Sequence, residues 1–184
     1  MLASVREYLE DRLKLKVNEA KSGVVRPWKS KFLGFTVYTQ KGMSLGIRVA
    51  PKTLKRVKDK LRELTDRNRS ENLEQRIVKV NDYIRGWIAY FALADAKKML
   101  AALHGWVCRR LRACVWKQWK RVRTRIREMR ALGFPDWKVF GWANDRRGPW
   151  AIAGTTLNSI LPASYWRKLG LVHFVEFYEE HRQT

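Results

Sequence analysis

The amino-acid sequence predicts a mainly α-helical fold: an N-terminal α+β segment carrying a β-hairpin, then a three-helix bundle, then a Trp-rich helical tail. Three observations predict it. Apolar residues recur every three or four positions through the middle of the chain, two short β-type runs flank a Gly-containing turn before them, and Gly and Pro punctuate an aromatic segment after residue 132. The divisions fall at residues 1–50, 51–132 and 133–184.

Leu2, Val5, Leu9 and Leu13 have the spacing of a short helix that ends near Leu15. Residues 31–38, the turn Thr39-Gln40-Lys41-Gly42 and residues 44–49 then read as strand, turn and strand. Gly34, inside the first strand, marks a place where a side chain is unwelcome, either for a bulge or because another backbone approaches. Pro51, with its fixed φ, suits the first turn of a helix whose face is Leu54, Val57, Leu61 and Leu64. A polar break, Asp66-Arg67-Asn68-Arg69-Ser70, separates it from the most regular stripe in the chain, Leu73, Ile77, Val80, Ile84, Trp87 and Phe91. Asp95 is placed to cap a third helix. Its stripe runs Leu100, Leu103, Val107, Leu111, Cys114, Val115, Trp119, Val122, Ile126 and Met129 until Gly133 and Pro135 stop it. Residues 136–144 and 164–169 are short helix candidates in the tail.

The chain has 184 residues, 46% of them hydrophobic and nine of them Trp, which is enough apolar material for a core. Lys and Arg number 39 against 17 acids, a net charge of +22, which points to a polyanionic partner and first to nucleic acid. No apolar run of about 18 residues occurs, so no transmembrane helix and no membrane partner are expected. Without an export signal at the N-terminus, a cytoplasmic location is the expectation. Cys108 and Cys114, six residues apart in a helix, face different ways and do not suit a disulfide. His104 and Cys108 share a helical face, but two ligands make no zinc site, and no metal is expected.

Between residues 109 and 130 lie Arg109, Arg110, Arg112, Lys117, Lys120, Arg121, Arg123, Arg125, Arg127 and Arg130 against a single acid, Glu128. On one continuous helix they form a cationic rod of roughly 30 Å, whose self-repulsion phosphates would relieve. Guanidinium groups suit bidentate contact with phosphate oxygens. Lys52, Lys55 and Arg56, followed by Lys58, Lys60 and Arg62, form a lesser basic face diluted by Asp59 and Glu63. Among the Trp residues, Trp28 in a basic loop and Trp116 off the third stripe are the candidates for stacking on bases. Trp87 and Trp119 fall on apolar stripes, and Trp137, Trp142, Trp150 and Trp166 are read as packing in the tail. Catalytic constellations are absent: there is no Asp-Asp pair for two-metal phosphoryl transfer, Glu10-Asp11 and Glu179-Glu180 have no evident partner, and no phosphate loop or nucleophile elbow occurs.

Several segments together carry a family likeness. They are the run from Leu13 through Asn18 and Lys21 to Ser22, the tetrapeptide Phe32-Leu33-Gly34-Phe35, Pro51-Lys52-Thr53-Leu54, Asn81, and Arg85-Gly86-Trp87-Ile88-Ala89-Tyr90-Phe91, continued by Arg109-Arg110-Leu111-Arg112 and Trp116-Lys117-Gln118-Trp119-Lys120. This pattern resembles the C-terminal part of group II intron-encoded reverse transcriptases, the maturases. Asn81 followed by Arg-Gly-Trp and Tyr-Phe is its most specific element.

The resemblance implies the end of a palm, with Phe32, Leu33, Gly34 and Phe35 as a primer-gripping hairpin and Lys21 as a palm lysine near the incoming nucleotide. It also implies a thumb, or X, domain that binds structured group II intron RNA to assist splicing and, in the intact enzyme, holds the template-primer. The family's Tyr-x-Asp-Asp motif does not occur and is expected upstream of Met1, with the fingers and most of the palm. The expectation is therefore no catalysis by this chain alone and no cofactor of its own, Mg2+ serving only the missing polymerase site and the RNA. Two other readings stand beside it: one part of a split RNA-directed DNA polymerase, with a separately encoded N-terminal part as partner, and a basic nucleic-acid chaperone without intron specificity.

Overall fold

The computed structural model describes residues 2–18, 22–39 and 44–182. Lys21 and the turn residues Gln40-Lys41-Gly42 lie outside the described residues. A short helix α1 (Leu2–Glu7) runs into a single π-helical turn (Tyr8–Arg12). Its expected stripe has no core to face, because none of residues 3–18 is buried. A 3-10 turn over Pro27–Lys29 then leads to the hairpin.

The two strands, β1 (Phe35–Thr39) and β2 (Leu45–Val49), pair antiparallel with Phe35 opposite Val49 and Thr39 opposite Leu45. The hairpin is as expected, but its first strand starts later. Phe32, Leu33, Gly34 and Phe35 form a tight turn instead: Phe32 and Phe35 exchange backbone hydrogen bonds, and φ is 49° at Leu33 and 89° at Gly34. Two successive left-handed residues make the primed turn that matches strand twist. The three atoms nearest to a side chain at Gly34 belong to side chains and not to another backbone. A Cβ there would lie 3.0 Å from Phe91 Cζ and 3.2 Å from Thr53 Oγ1. Its carbonyl accepts from Ala50 N and from Thr53 Oγ1, which ties the turn to the start of the next helix. Replacing Gly34 by Ala therefore combines an unfavourable φ with an overpacked contact, an expected loss of about 2 kcal/mol. An unchanged urea midpoint would mean that Phe91 gives way.

Pro51 opens α2 (Pro51–Leu64), which buries Val57, Leu61 and Leu64 as its spacing requires. Asn72 caps α3 (Leu73–Tyr90) through its side chain, which accepts from Glu74 N, and α3 buries Ile77, Val80, Ile84 and Ile88. The cap of α4 (Lys97–Gln118) is not Asp95. Ala96 occupies that position, and the Asp95 carboxylate is held by Tyr38 Oη and Arg182 Nη2. Helix α2 packs on both α3 and α4, and all three share one apolar core with the tail.

The expected continuous third helix is broken. α4 ends at Gln118, the chain turns through residues 119–121, and α5 (Val122–Ala131) starts afresh. No Gly or Pro marks this break. Arg125 secures it by donating to the carbonyls of Trp119 and Ala143 while lying 3.9 Å from the Trp116 ring centroid. The tail then folds as α6 (Asp136–Ala143), α7 (Pro149–Gly154), α8 (Thr156–Ile160), α9 (Ala163–Lys168) and α10 (Phe174–Arg182). Both tail helices expected from sequence, α6 and α9, are present. The whole is mainly helical with one two-stranded hairpin among the described residues. None of its helices is long and apolar enough to cross a membrane.

Side-chain latches fix the tail to the bundle. Asn81 donates to Gly170 O and accepts from Val172 N, and Tyr178 Oη donates to Ala94 O. His104 of α4 sits against His173 and Phe174, with Cys108 Sγ 3.6 Å from its Nε2. Burial, helped by His173, lowers His104 to about 4, and burial pushes the Cys108 thiol up to about 11. Both groups are neutral at pH 7. The two cysteines are free and buried.

Candidate nucleic-acid interface

Helix α4 fixes the first group of candidate cations, but it spends three of them on the fold. Arg112 is buried, and its Nε donates to Leu161 O at 2.8 Å. Arg110 donates to Thr65 Oγ1, Thr65 O and Arg62 O, taking up carbonyls that the end of α2 leaves without helical partners. Arg109 donates twice to Trp150 O and lies 4.1 Å from the Trp150 ring centroid. Burial lowers the pKa of both Arg110 and Arg112. Arg112 is thus a core contact and not a surface cation.

Trp116 changes its reading in the same way. It is 4% exposed and roofed by Arg125, so it has no free face for a base. Trp28 is 45% exposed beside Arg26, as its loop position suggested. Phe32 and Leu33 are exposed at the tip of their turn, whereas Phe35 packs on Tyr90 and Phe91.

The break between α4 and α5 replaces the straight rod with a cluster around a bend. Lys117, Lys120, Arg121 and Arg123 are exposed there, and among the described residues none of the four has an acidic partner. Lys117 Nζ donates to Asn68 Oδ1 at 2.6 Å, linking the bend to the loop between α2 and α3. Further along α5 the charge is partly compensated: Arg127 pairs with Glu128 and Arg130 with Asp136. The hydrogen bond from Arg130 holds the Asp136 carboxyl below its ordinary pKa.

Two clefts that share Arg67 open beside α4, the first of them at the bend. One, of about 340 Å³, is lined by Arg67, Asn68, Trp116, Lys117, Lys120, Arg125 and Pro149. The other, of about 270 Å³, shares Arg67 and reaches Arg110 and Trp150. Sequence reading missed Arg67 and Trp150. Arg67 had a usable signal, since a basic loop joining two striped helices ends beside whatever those helices pack on. Lys52, Lys55 and Arg56 are exposed on the first turns of α2. At 1.5 Å per residue they stand roughly 12 to 18 Å along the axis from the end of α2 at the cleft, so they do not join the cluster.

Residues 54–133 match the family model of the group II intron maturase-specific domain, in agreement with the likeness carried by Asn81 and the Arg-Gly-Trp segment. No curated protein matches the chain. The matched segment runs from the first turn of α2 to Gly133 and includes Arg67 and every cation of the bend, while Trp150 lies beyond it.

Proposed function

We propose that this chain, which carries a group II intron maturase-specific domain and hence has a maturase-related function, binds the phosphates of folded intron RNA and assists its splicing. The observation that supports RNA contact is the bend itself: Lys117, Lys120, Arg121 and Arg123 are exposed there, Arg67 joins Lys117 and Lys120 at the cleft beside it, and none of the five is neutralised by an acid among the described residues. Like charges gathered on a bend raise the energy of the folded chain, and a polyanion removes that cost. The arginines with structural partners, Arg109, Arg110, Arg112 and Arg125, shape this surface rather than meet RNA directly.

Substituting Lys117, Lys120, Arg121 and Arg123 together by Ala tests the reading. Each lost phosphate contact reduces the slope of log affinity against log salt by about one, so the quadruple variant is expected to lose three to four units of slope. At low salt its affinity for structured RNA falls by roughly two orders of magnitude. Filter binding across a salt series reads both quantities. A wild-type affinity that ignores salt sinks the proposal. Splicing of a group II intron at near-physiological Mg2+, with an unrelated structured RNA as competitor, separates intron assistance from non-specific chaperoning: equal competition by both RNAs favours the chaperone.

A further inference from the structure

We infer that the smaller cleft seats one unpaired RNA nucleotide, its base stacked on Trp150 and its flanking phosphates held by Arg67, Lys117 and Lys120. This deepens the RNA-binding reading above and rests on it. Trp150 is 42% exposed, unlike the buried Trp116 and Trp166. It is the second residue of α7, and its orientation is set from one side: Arg109 lies over one ring face and clamps the Trp150 carbonyl with two hydrogen bonds. Gly154 leaves room for that guanidinium, since a Cβ there would fall 2.7 Å from Arg109 Cζ. A large ring held in place from one side, with part of its exposed surface lining a cleft, is a stacking platform whose ordering cost is already met.

Size and charge assign the rest. At about 270 Å³ the cleft lies just below the usual range for whole small-molecule sites, and suits a single base. Asp66 lines it and repels phosphate, so the base belongs beside Trp150 and the phosphates belong in the neighbouring cleft, where Arg67, Lys117 and Lys120 gather. Two of the polar atoms near the base are already occupied, Thr65 Oγ1 by Arg110 and Asp66 Oδ1 by Asn68 N. Stacking on a ring face accepts any base, so the site is tolerant of base identity. Two other exposed rings lack these features. Trp137 has only Lys138 over it, and Trp28 has only Arg26; neither lines a cleft at the bend.

The test compares three hairpin RNAs of equal length of helix: fully paired, carrying a one-nucleotide bulge, and carrying an abasic residue at that bulge. Wild-type protein is expected to bind the bulged RNA about tenfold more tightly than the other two, the scale of one base stacked on an aromatic ring. Trp150→Ala removes that preference but leaves paired-RNA affinity and its salt slope unchanged, while Trp150→Phe restores most of it. Changing the bulged base among the four nucleotides shifts affinity little. Equal wild-type binding of the bulged and abasic RNAs overturns the inference even if Trp150→Ala fails to fold, and it leaves the RNA-binding reading intact. Loss of affinity for all three RNAs in a folded Trp150→Ala protein also overturns it. Salt-insensitive binding of every RNA takes down both readings.

Discussion

Arg76→Ala is expected to lower the unfolding free energy by about 3 to 5 kcal/mol, because three carbonyl acceptors each lose a donor at about 1 to 3 kcal/mol and water recovers part of that. Arg76 is 1% exposed. Its Nη1 donates to Leu64 O and Asp66 O, and its Nη2 to Arg69 O. Those carbonyls belong to the end of α2 and the loop after it, where the helix has run out of its own donors. A cation there also meets the negative end of the α2 dipole. Removing the guanidinium leaves three acceptors to find water in a closed site, and the loop that carries Arg67 and Asn68 loses its anchor. Arg76→Lys keeps the charge but lacks the planar fork, so it is expected to recover less than half of the loss. Urea unfolding followed by circular dichroism measures both. A midpoint within error of wild type for Arg76→Ala would show that the loop is held by something else. Because the same loop lines both clefts, the variant should also bind RNA more weakly at temperatures where it is still folded.

What the sequence revealed follows from what leaves a trace in it. The stripe from Leu73 to Phe91 was legible because burial repeats at helical spacing, and α3 buries that face. The hairpin was legible from two β-type runs flanking a Gly-containing turn, and the end of α5 from Gly133 and Pro135. The break after Gln118 was not, since no local breaker stands there and the apolar stripe carries on through Trp119 and Val122. It is secured by Arg125, whose acceptors at Trp119 and Ala143 are backbone carbonyls. Every residue has a carbonyl. An arginine that caps carbonyls therefore looks in sequence like one that awaits phosphate, which is why Arg110, Arg112 and Arg125 were grouped with Lys120, Arg121 and Arg123. The tryptophans pose the converse difficulty. Trp116 is off its helix's main stripe yet buried, because the α4 face it occupies is covered by α5 and the tail; Trp150 sits in a Gly/Pro-rich stretch yet stands open.

Trp166→Ala tests the claim that the tail is part of the core and not an appendage to it, with an expected loss of about 3 to 5 kcal/mol. Trp166 has no exposed surface and is the largest fully buried side chain among the described residues. It sits at the end of α9, against α4, and its carbonyl accepts from Leu171 N across Gly170, whose φ is 86°. That closure places Leu171 beside the ring's end of the helix, as helix-ending glycine turns commonly do. It also presents Gly170 O and Val172 N to Asn81. Ring, turn and asparagine therefore form one joint: a cavity in place of the indole removes the packing against which the turn is set, and the Asn81 bonds weaken with it. Asn81 lies in the matched maturase-specific segment and Trp166 outside it, so a joint between them makes the segment's stability depend on the tail. Trp137→Ala is the control, since Trp137 is 74% exposed and its loss should stay within about 0.5 kcal/mol. A single cooperative urea transition, shifted strongly by Trp166→Ala and hardly at all by Trp137→Ala, is the expected result. Two separate transitions in the wild-type protein, with Trp166→Ala moving only one, would mean that bundle and tail unfold independently and that the joint transmits nothing.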